Sequence, residues 1–323
     1  MSTILPELSI LRLKVAMLSR GVQLPQEELH GRAGGAGPTL GRYFRITPDV
    51  LVNAPVRSGK DAKRFQSLKL VPTSGNRYQV TNFEDTSLEV ELIPLPLYYD
   101  ETLSDGTPMT HIALVHGYDC LATTIIQHCA YFNQGQECQF CSIPVSLEAR
   151  NTVLYKSPNQ FLAVLKAATK EGRATHLTLT IGSPDRPDRG IDEYLDFVSH
   201  LRQHTDIPIH VQLEPPKPPT LLESLKKVGV DTVGIHLEIY NDTLRKQYCP
   251  GKFRHASYQD YLKTWRIAVD LFGRGQVSTF ILLGLGETPA QLHRGFQDTI
   301  EIGVIPVPVP YRPNPGSCLE GQV

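Results

Sequence analysis

The sequence contains no stretch approaching the ~18 consecutive apolar residues of a membrane-spanning helix. Met1 to Leu11 lacks a basic segment leading into an apolar core, so no secretory signal is read there and cytoplasmic residence is expected. Charge of either sign is not in excess. The net charge of −1 provides no electrostatic argument for nucleic acid or an anionic membrane surface, and neither is expected as a partner. The Gly-rich run from Gly31 to Pro38 lacks the Gly-Lys-Ser/Thr ending of a phosphate loop and is not followed by a helical pattern, so a substrate-covering loop from Gly31 to Gly41 is the better expectation. No Ser-His-Asp string, His-x-His strand or strand-end Schiff-base lysine stands out, which leaves little basis for a barrel hydrolase or aldolase.

The composition, 41% hydrophobic and 20% charged, is that of a globular chain able to bury a sizeable core. A chain of this length does not depend on disulfides. Of its six cysteines, Cys120, Cys129, Cys138 and Cys141 crowd together, which suggests metal binding more than cross-linking; Cys249 and Cys318 are isolated in sequence.

The chain reads in two parts. Residues 1–110 carry a helix, Pro6 to Arg20, and short apolar alternations at Val50 to Val56, Leu68 to Val71, Tyr78 to Val80 and Leu88 to Leu97, predicting a small α+β extension. Residues 111–323 alternate strand and helix. Strands are predicted at Leu121–Ile126, His176–Ile181, Ile207–Leu213, Thr232–Glu238, Val277–Leu283 and Val304–Val309. Intervening helices start at Ser157-Pro158, Ile191, Thr220, Ser257 and Pro289, and glycines such as Gly229, Gly273 and Gly303 stop them. Six such units predict an α/β fold, a partial (β/α)6 TIM-like barrel, with its chemistry at the C-terminal ends of the strands.

Cys129-x8-Cys138-x2-Cys141 follows the first strand, at that end. Three thiolates can hold three irons of a four-iron cluster and leave the fourth open to an outside ligand. Spacing alone leaves two alternatives: a closed zinc site with His128 as fourth ligand, and buried cysteines holding no metal. Cys120, at the far end of the same strand, is too distant to share the site.

With these residues in view, the chain resembles the radical S-adenosylmethionine superfamily over roughly Cys120 to Leu319. Within it, the likeness runs toward the biotin-synthase-like branch and a subfamily encoded near nitrilase-type enzymes. The family pattern is Cys-x3-Cys-x2-Cys; here the first gap is eight residues, while Phe140 keeps the aromatic position before the last cysteine that borders the adenine. The resemblance implies a [4Fe-4S] cluster on Cys129, Cys138 and Cys141, with S-adenosyl-L-methionine as the second cofactor. Thr180, Gly182 and Ser183 stand where the family binds the methionine amino group, although only one Gly of its Gly-Gly-Glu motif is kept. His236 and Glu238 match the polar-x-acid pair that contacts the ribose, and Glu214, closing the preceding strand, is a further cofactor-binding candidate. Arg254 or Lys252 would pair with the methionine carboxylate, and Leu283-Gly284 would flank the adenine. Glu287 is expected to cap the next helix or bond a backbone amide. Further implications are a small-molecule substrate, sensitivity to oxygen and a low-potential electron donor such as flavodoxin or ferredoxin. The alternative is a catalytically silent iron–sulfur or zinc barrel with a structural or carrier role. Gln212 and Glu214 are further candidates for substrate contact.

Overall fold

The computed structural model describes residues 4–24, 41–83 and 88–321; the expected substrate-covering loop, apart from Gly41, lies outside the described residues. The N-terminal helix Ile4–Arg20 buries Leu13, Ala16 and Met17, one face at helical spacing, against a six-stranded sheet. The strands are β1 (Val22–Gln23), β2 (Gly41–Thr47), β3 (Val50–Pro55), β4 (Leu68–Pro72), β5 (Arg77–Val80) and β6 (Leu88–Leu92), in the order β1-β4-β5-β6-β2-β3. All neighbours are antiparallel except β1 and β4. Alternation decides which face packs on the helix: Phe44, Val52, Leu70, Tyr78, Val80, Val90 and Leu92 turn inward. The sequence reading identified β3 to β6 but not β2, in which Arg42 takes one of the inward, buried positions.

The second sheet runs in chain order through β7 (Leu114–His116), β8 (Cys120–Thr124), β9 (His176–Thr180), β10 (Ile209–Leu213), β11 (Thr232–Ile235), β12 (Val277–Leu283) and β13 (Ile305–Pro310). β8 to β13 are mutually parallel, giving the six expected strands, and β7 adds an antiparallel edge through a turn at Gly117. Helices Pro158–Lys170, Ile191–Arg202, Leu222–Val228, Tyr258–Phe272 and Pro289–Ile302 return the chain between strands. Ser157, Ser257 and Thr288 each close a capping box. Gly229 and Gly303 end their helices in the left-handed conformation.

The outward side chains of the strands, among them Leu177, Leu179, Val211, Val233, Ile235 and Ile281, are fully buried under Phe161, Val164, Phe197 and Trp265 from the helices. Burying each such side chain contributes about 1.5–3 kcal/mol. The inward side chains are largely polar: Thr124, Thr178, Thr180, His210, Gln212 and Thr232 share the concave face. This curled, half-closed sheet is the partial barrel. Among the described residues no helix is long and apolar enough to cross a membrane.

Candidate functional site

Beyond β8 the chain is pinned to the end of β9 on both sides of Gly182: the Gly182 N–H donates to Ile126 O at 3.0 Å, and the Ala130 N–H to Ser183 O at 2.9 Å. Cys129 stands between these bonds and heads the short helix Ala130–Asn133. A left-handed turn at Gly135 returns the chain to Cys138, and a tight turn (Cys141 N–H to Cys138 O, 2.9 Å) sets the last two cysteines side by side. The Gln139 N–H donates to Tyr248 O at 2.8 Å and ties this loop to the segment after β11.

None of the six cysteines is joined in a disulfide. Burial pushes the Cys129 thiol up to about 11, with Glu214 and Cys138 adding to the effect. Burial pushes Cys141 up to about 12, reinforced by Cys138 and Cys129. The three thiols therefore lie close enough to act on one another electrostatically. Cys129 and Cys141 hold their protons until a metal takes them. Among the described residues no three His, Cys, Asp or Glu side chains close around a single ion. His128 is turned aside, its Nε2 3.4 Å from Asn133 Nδ2.

Two acids sit beside the cysteines. Glu214, buried at the end of β10, accepts hydrogen bonds from Tyr131 Oη at 2.9 Å and from Ser183 Oγ. Glu238 lies just beyond β11, with a φ of 69° that non-glycine residues rarely adopt. Its own N–H and C=O are held by Phe280 O and Leu282 N–H on β12. This reversal ends the strand at Ile235, three residues short of the predicted Glu238, and directs the carboxylate to Lys252 Nζ at 3.0 Å. The two side chains are 12% and 16% exposed. Burial alone would lower Lys252, but Glu238, followed by Cys138, Tyr261 and Glu214, outweighs it and holds the ammonium firmly charged.

Arg254, the other basic candidate, lies exposed on the rim and donates to Gln134 Oε1 at 2.7 Å. The helix Pro250–His255 thus presents Lys252, and not Arg254, to the cysteines. Cys249, isolated in sequence, is fully buried against Cys138 within hydrogen-bonding reach of it. Nothing local in sequence announces this; the helices Asp242–Tyr248 and Pro250–His255 that create it are each under two turns long.

His236 faces into the barrel but is packed toward its floor. Its ring stacks on Phe280 at 4.2 Å, Nδ1 accepts the Phe280 N–H at 3.1 Å, and Nε2 is buried without a partner. Leu283 and Gly284 end β12, where Leu283 O accepts the Tyr311 N–H at 2.8 Å and Gly284 has open space above it. Glu287 accepts the Asn241 N–H at 2.8 Å, the backbone bond expected of it. Thr180 and Phe140 line a cavity of about 500 Å³ enclosed between the concave face of the barrel and the N-terminal sheet.

A half-barrel whose C-terminal rim gathers three thiols, two carboxylates and a buried ammonium defines a class of cofactor-dependent enzyme. Residues 125–297, more than half of the chain, match the Radical SAM superfamily, and the chain belongs to it. Membership implies S-adenosylmethionine, iron and a [4Fe-4S] cluster. The bacteriochlorophyllide c C-7(1)-hydroxylase of Chlorobaculum limnaeum is 27% identical over 234 residues, 67% of this chain and 58% of that protein. The solved structure of methylornithine synthase superposes with a TM-score of 0.50 at 16% identity, over 63% of this chain and 56% of that one, a likeness of fold alone. The chain thus spans less than two thirds of either relative.

Proposed function

We propose that this chain holds a [4Fe-4S] cluster on Cys129, Cys138 and Cys141, cleaves S-adenosylmethionine reductively and takes a hydrogen atom from a small-molecule substrate in the cavity. The observation that carries the reading is the gathering of three mutually interacting thiols at the rim, one buried and two half-buried, with charged Lys252 beside them. Bound there, cluster and cofactor would supply the reductive opening of the sulfonium to methionine and a 5′-deoxyadenosyl radical.

The protein's own residues bind, orient and exclude water. Glu238 is suited to accept hydrogen bonds from the two ribose hydroxyls. Lys252 is suited to the methionine carboxylate, in the role that Arg254 or Lys252 had in the sequence reading. Thr180, Gly182 and Ser183 border the first cysteine and offer backbone carbonyls to the methionine ammonium. Phe140, Leu283 and Gly284 are assigned to the adenine. Glu214, bonded to Tyr131 and Ser183, braces the cysteine helix against β9 and β10. The two-part division near residue 110, the cytoplasm as setting and a flavodoxin- or ferredoxin-type electron donor belong to the same reading.

Anaerobically purified protein should be brown, with about four irons and four sulfides per chain. Reduced with dithionite, it should release 5′-deoxyadenosine from S-adenosylmethionine. A colourless protein carrying one zinc would refute the reading, and a brown protein that never cleaves the cofactor would point to a carrier.

A further inference from the structure

The cavity between the two sheets has walls of unlike origin. The barrel supplies Thr178, Thr180, Gln212 and Phe280, and the N-terminal part supplies Leu18, Tyr43 and Asn53 as a roof. Among the described residues, no Asp or Glu lines it. Two cationic side chains do. Lys156 is engaged by Thr124 O at 2.7 Å and Val153 O at 3.2 Å. Arg312, just past β13, donates through Nη1 to Asn53 Oδ1 at 2.9 Å and through Nη2 to Asn53 O at 2.6 Å.

Arg312 differs from an ordinary structural arginine in what surrounds it. Among the described residues, the ionisable groups that act on it are Arg57, of like sign, and Tyr43, with no carboxylate among them. Burial, followed by Arg57, pulls it down to about 10, so it remains charged near neutrality. A buried guanidinium is ordinarily matched by an anion. Its Nε–H is buried and unpartnered, and so is Nδ2 of Asn53. The bond from Arg312 Nη1 to Asn53 Oδ1 fixes which way the amide points, so both orphans are donors. One hydrogen-bonded pair therefore holds a positive charge and two donor nitrogens for which the described residues supply no acceptor. Phe140, the neighbour of Cys141, lines the same cavity, so a molecule anchored at Arg312 lies in the space bordering the cysteine segment.

We propose that this cavity receives a small substrate bearing a carboxylate, with Arg312 and Asn53 as its anchor. The proposal rests on the radical reading and names the substrate class for it. An apolar or polar, uncharged remainder fits the rest of the wall, where threonines and Gln212 alternate with Phe280 and Leu282.

The test uses benzoate, its uncharged isostere benzamide and inorganic phosphate as probes. Binding to anaerobically purified, S-adenosylmethionine-loaded protein is followed by calorimetric titration and by the shift in melting temperature. Benzoate should bind and raise the melting temperature, and benzamide should bind at least about tenfold more weakly. Arg312→Gln should weaken benzoate by about tenfold or more while leaving benzamide unchanged, and Arg312→Lys should fall between, keeping the charge but losing the fork. The benzoate–benzamide comparison on unaltered protein stands even if a variant fails to fold. Equal binding of the two overturns the proposal, as does phosphate binding more tightly than benzoate. In a parallel titration on protein free of S-adenosylmethionine, displacement of benzoate by added S-adenosylmethionine would assign the anchor to the cofactor's own carboxylate and overturn it as well. Iron content and 5′-deoxyadenosine release, measured on the same samples, separate failure of the anchor from failure of the radical reading.

Discussion

Replacing Gly182 by alanine tests whether the junction of β9 with the cysteine segment positions the site. A β-carbon there would stand 2.0 Å from the carbonyl oxygen of His128, 2.4 Å from its carbon and 2.9 Å from the amide nitrogen of Cys129. All three are backbone atoms, so no side-chain rotation relieves the clash. Ordinary contact begins at 3.4 Å, so the segment carrying Cys129 must shift by roughly 1.4 Å at its tightest point. Forcing a methyl group into packed structure costs about 1–3 kcal/mol. The stiffer unfolded chain returns about 0.4–1 kcal/mol. The net loss of roughly 1–2 kcal/mol should lower the melting temperature by roughly 1.5–3 °C in a chain of this size. Displacing the site by about 1 Å should cut S-adenosylmethionine cleavage about 100-fold. The assay is thermal denaturation together with iron content and 5′-deoxyadenosine formation. Gly275→Ala is the control: it is left-handed at φ +77° with nothing near its β-carbon position, so it should cost about 1 kcal/mol and leave cleavage intact. Normal iron and normal cleavage in Gly182→Ala, or equal loss of cleavage in Gly275→Ala, would refute the reasoning.

Cys129→Ala, Cys138→Ala and Cys141→Ala should each abolish cluster loading or cofactor cleavage. Cys120→Ala should keep both, because its sulfur bonds Thr178 Oγ1 at 3.3 Å at the opposite end of β8; iron analysis decides. Glu238→Gln leaves Lys252 poorly matched in a pocket only 16% exposed and should cost about 3 kcal/mol in urea denaturation, with part recovered in a Glu238→Gln/Lys252→Met double variant. Strict additivity would argue against the pair. Burial lowers His210 to about 4. The unfolded chain therefore takes up a proton below about pH 6.5 that the folded chain refuses until about pH 4. Stability present above pH 6.5 should drain away across that window by roughly 3 kcal/mol, and His210→Gln should flatten the slope of urea midpoint against pH.

The barrel was largely legible in the sequence because its signals are local. A capping serine or threonine, a helical stripe of apolar residues and a terminal glycine recur with each unit, and the structure carries them at Ser157, Ser257, Thr288, Gly229 and Gly303. The crowding of Cys129, Cys138 and Cys141 was equally plain. What escaped depends on tertiary placement. Lys252 and Arg254 are two residues apart on a helix of six, too short to show which face is inward. Cys249 reaches Cys138 through a loop contact made at Tyr248. The left-handed turn at Glu238 breaks a pattern that reads as continuous strand. In the N-terminal part alternation marked most strands, yet not their order across the sheet, nor that Asn53 would meet Arg312 some 259 residues away.

That meeting has a consequence for how such a chain can diversify. Roof and floor of the chamber are anchored in different hydrophobic cores, Leu18, Tyr43 and Asn53 on one side and the barrel strands on the other. Drift at Leu18, Tyr43 or Asn53 can therefore recut one wall of the chamber while the opposite wall and the cysteine segment stay as they are.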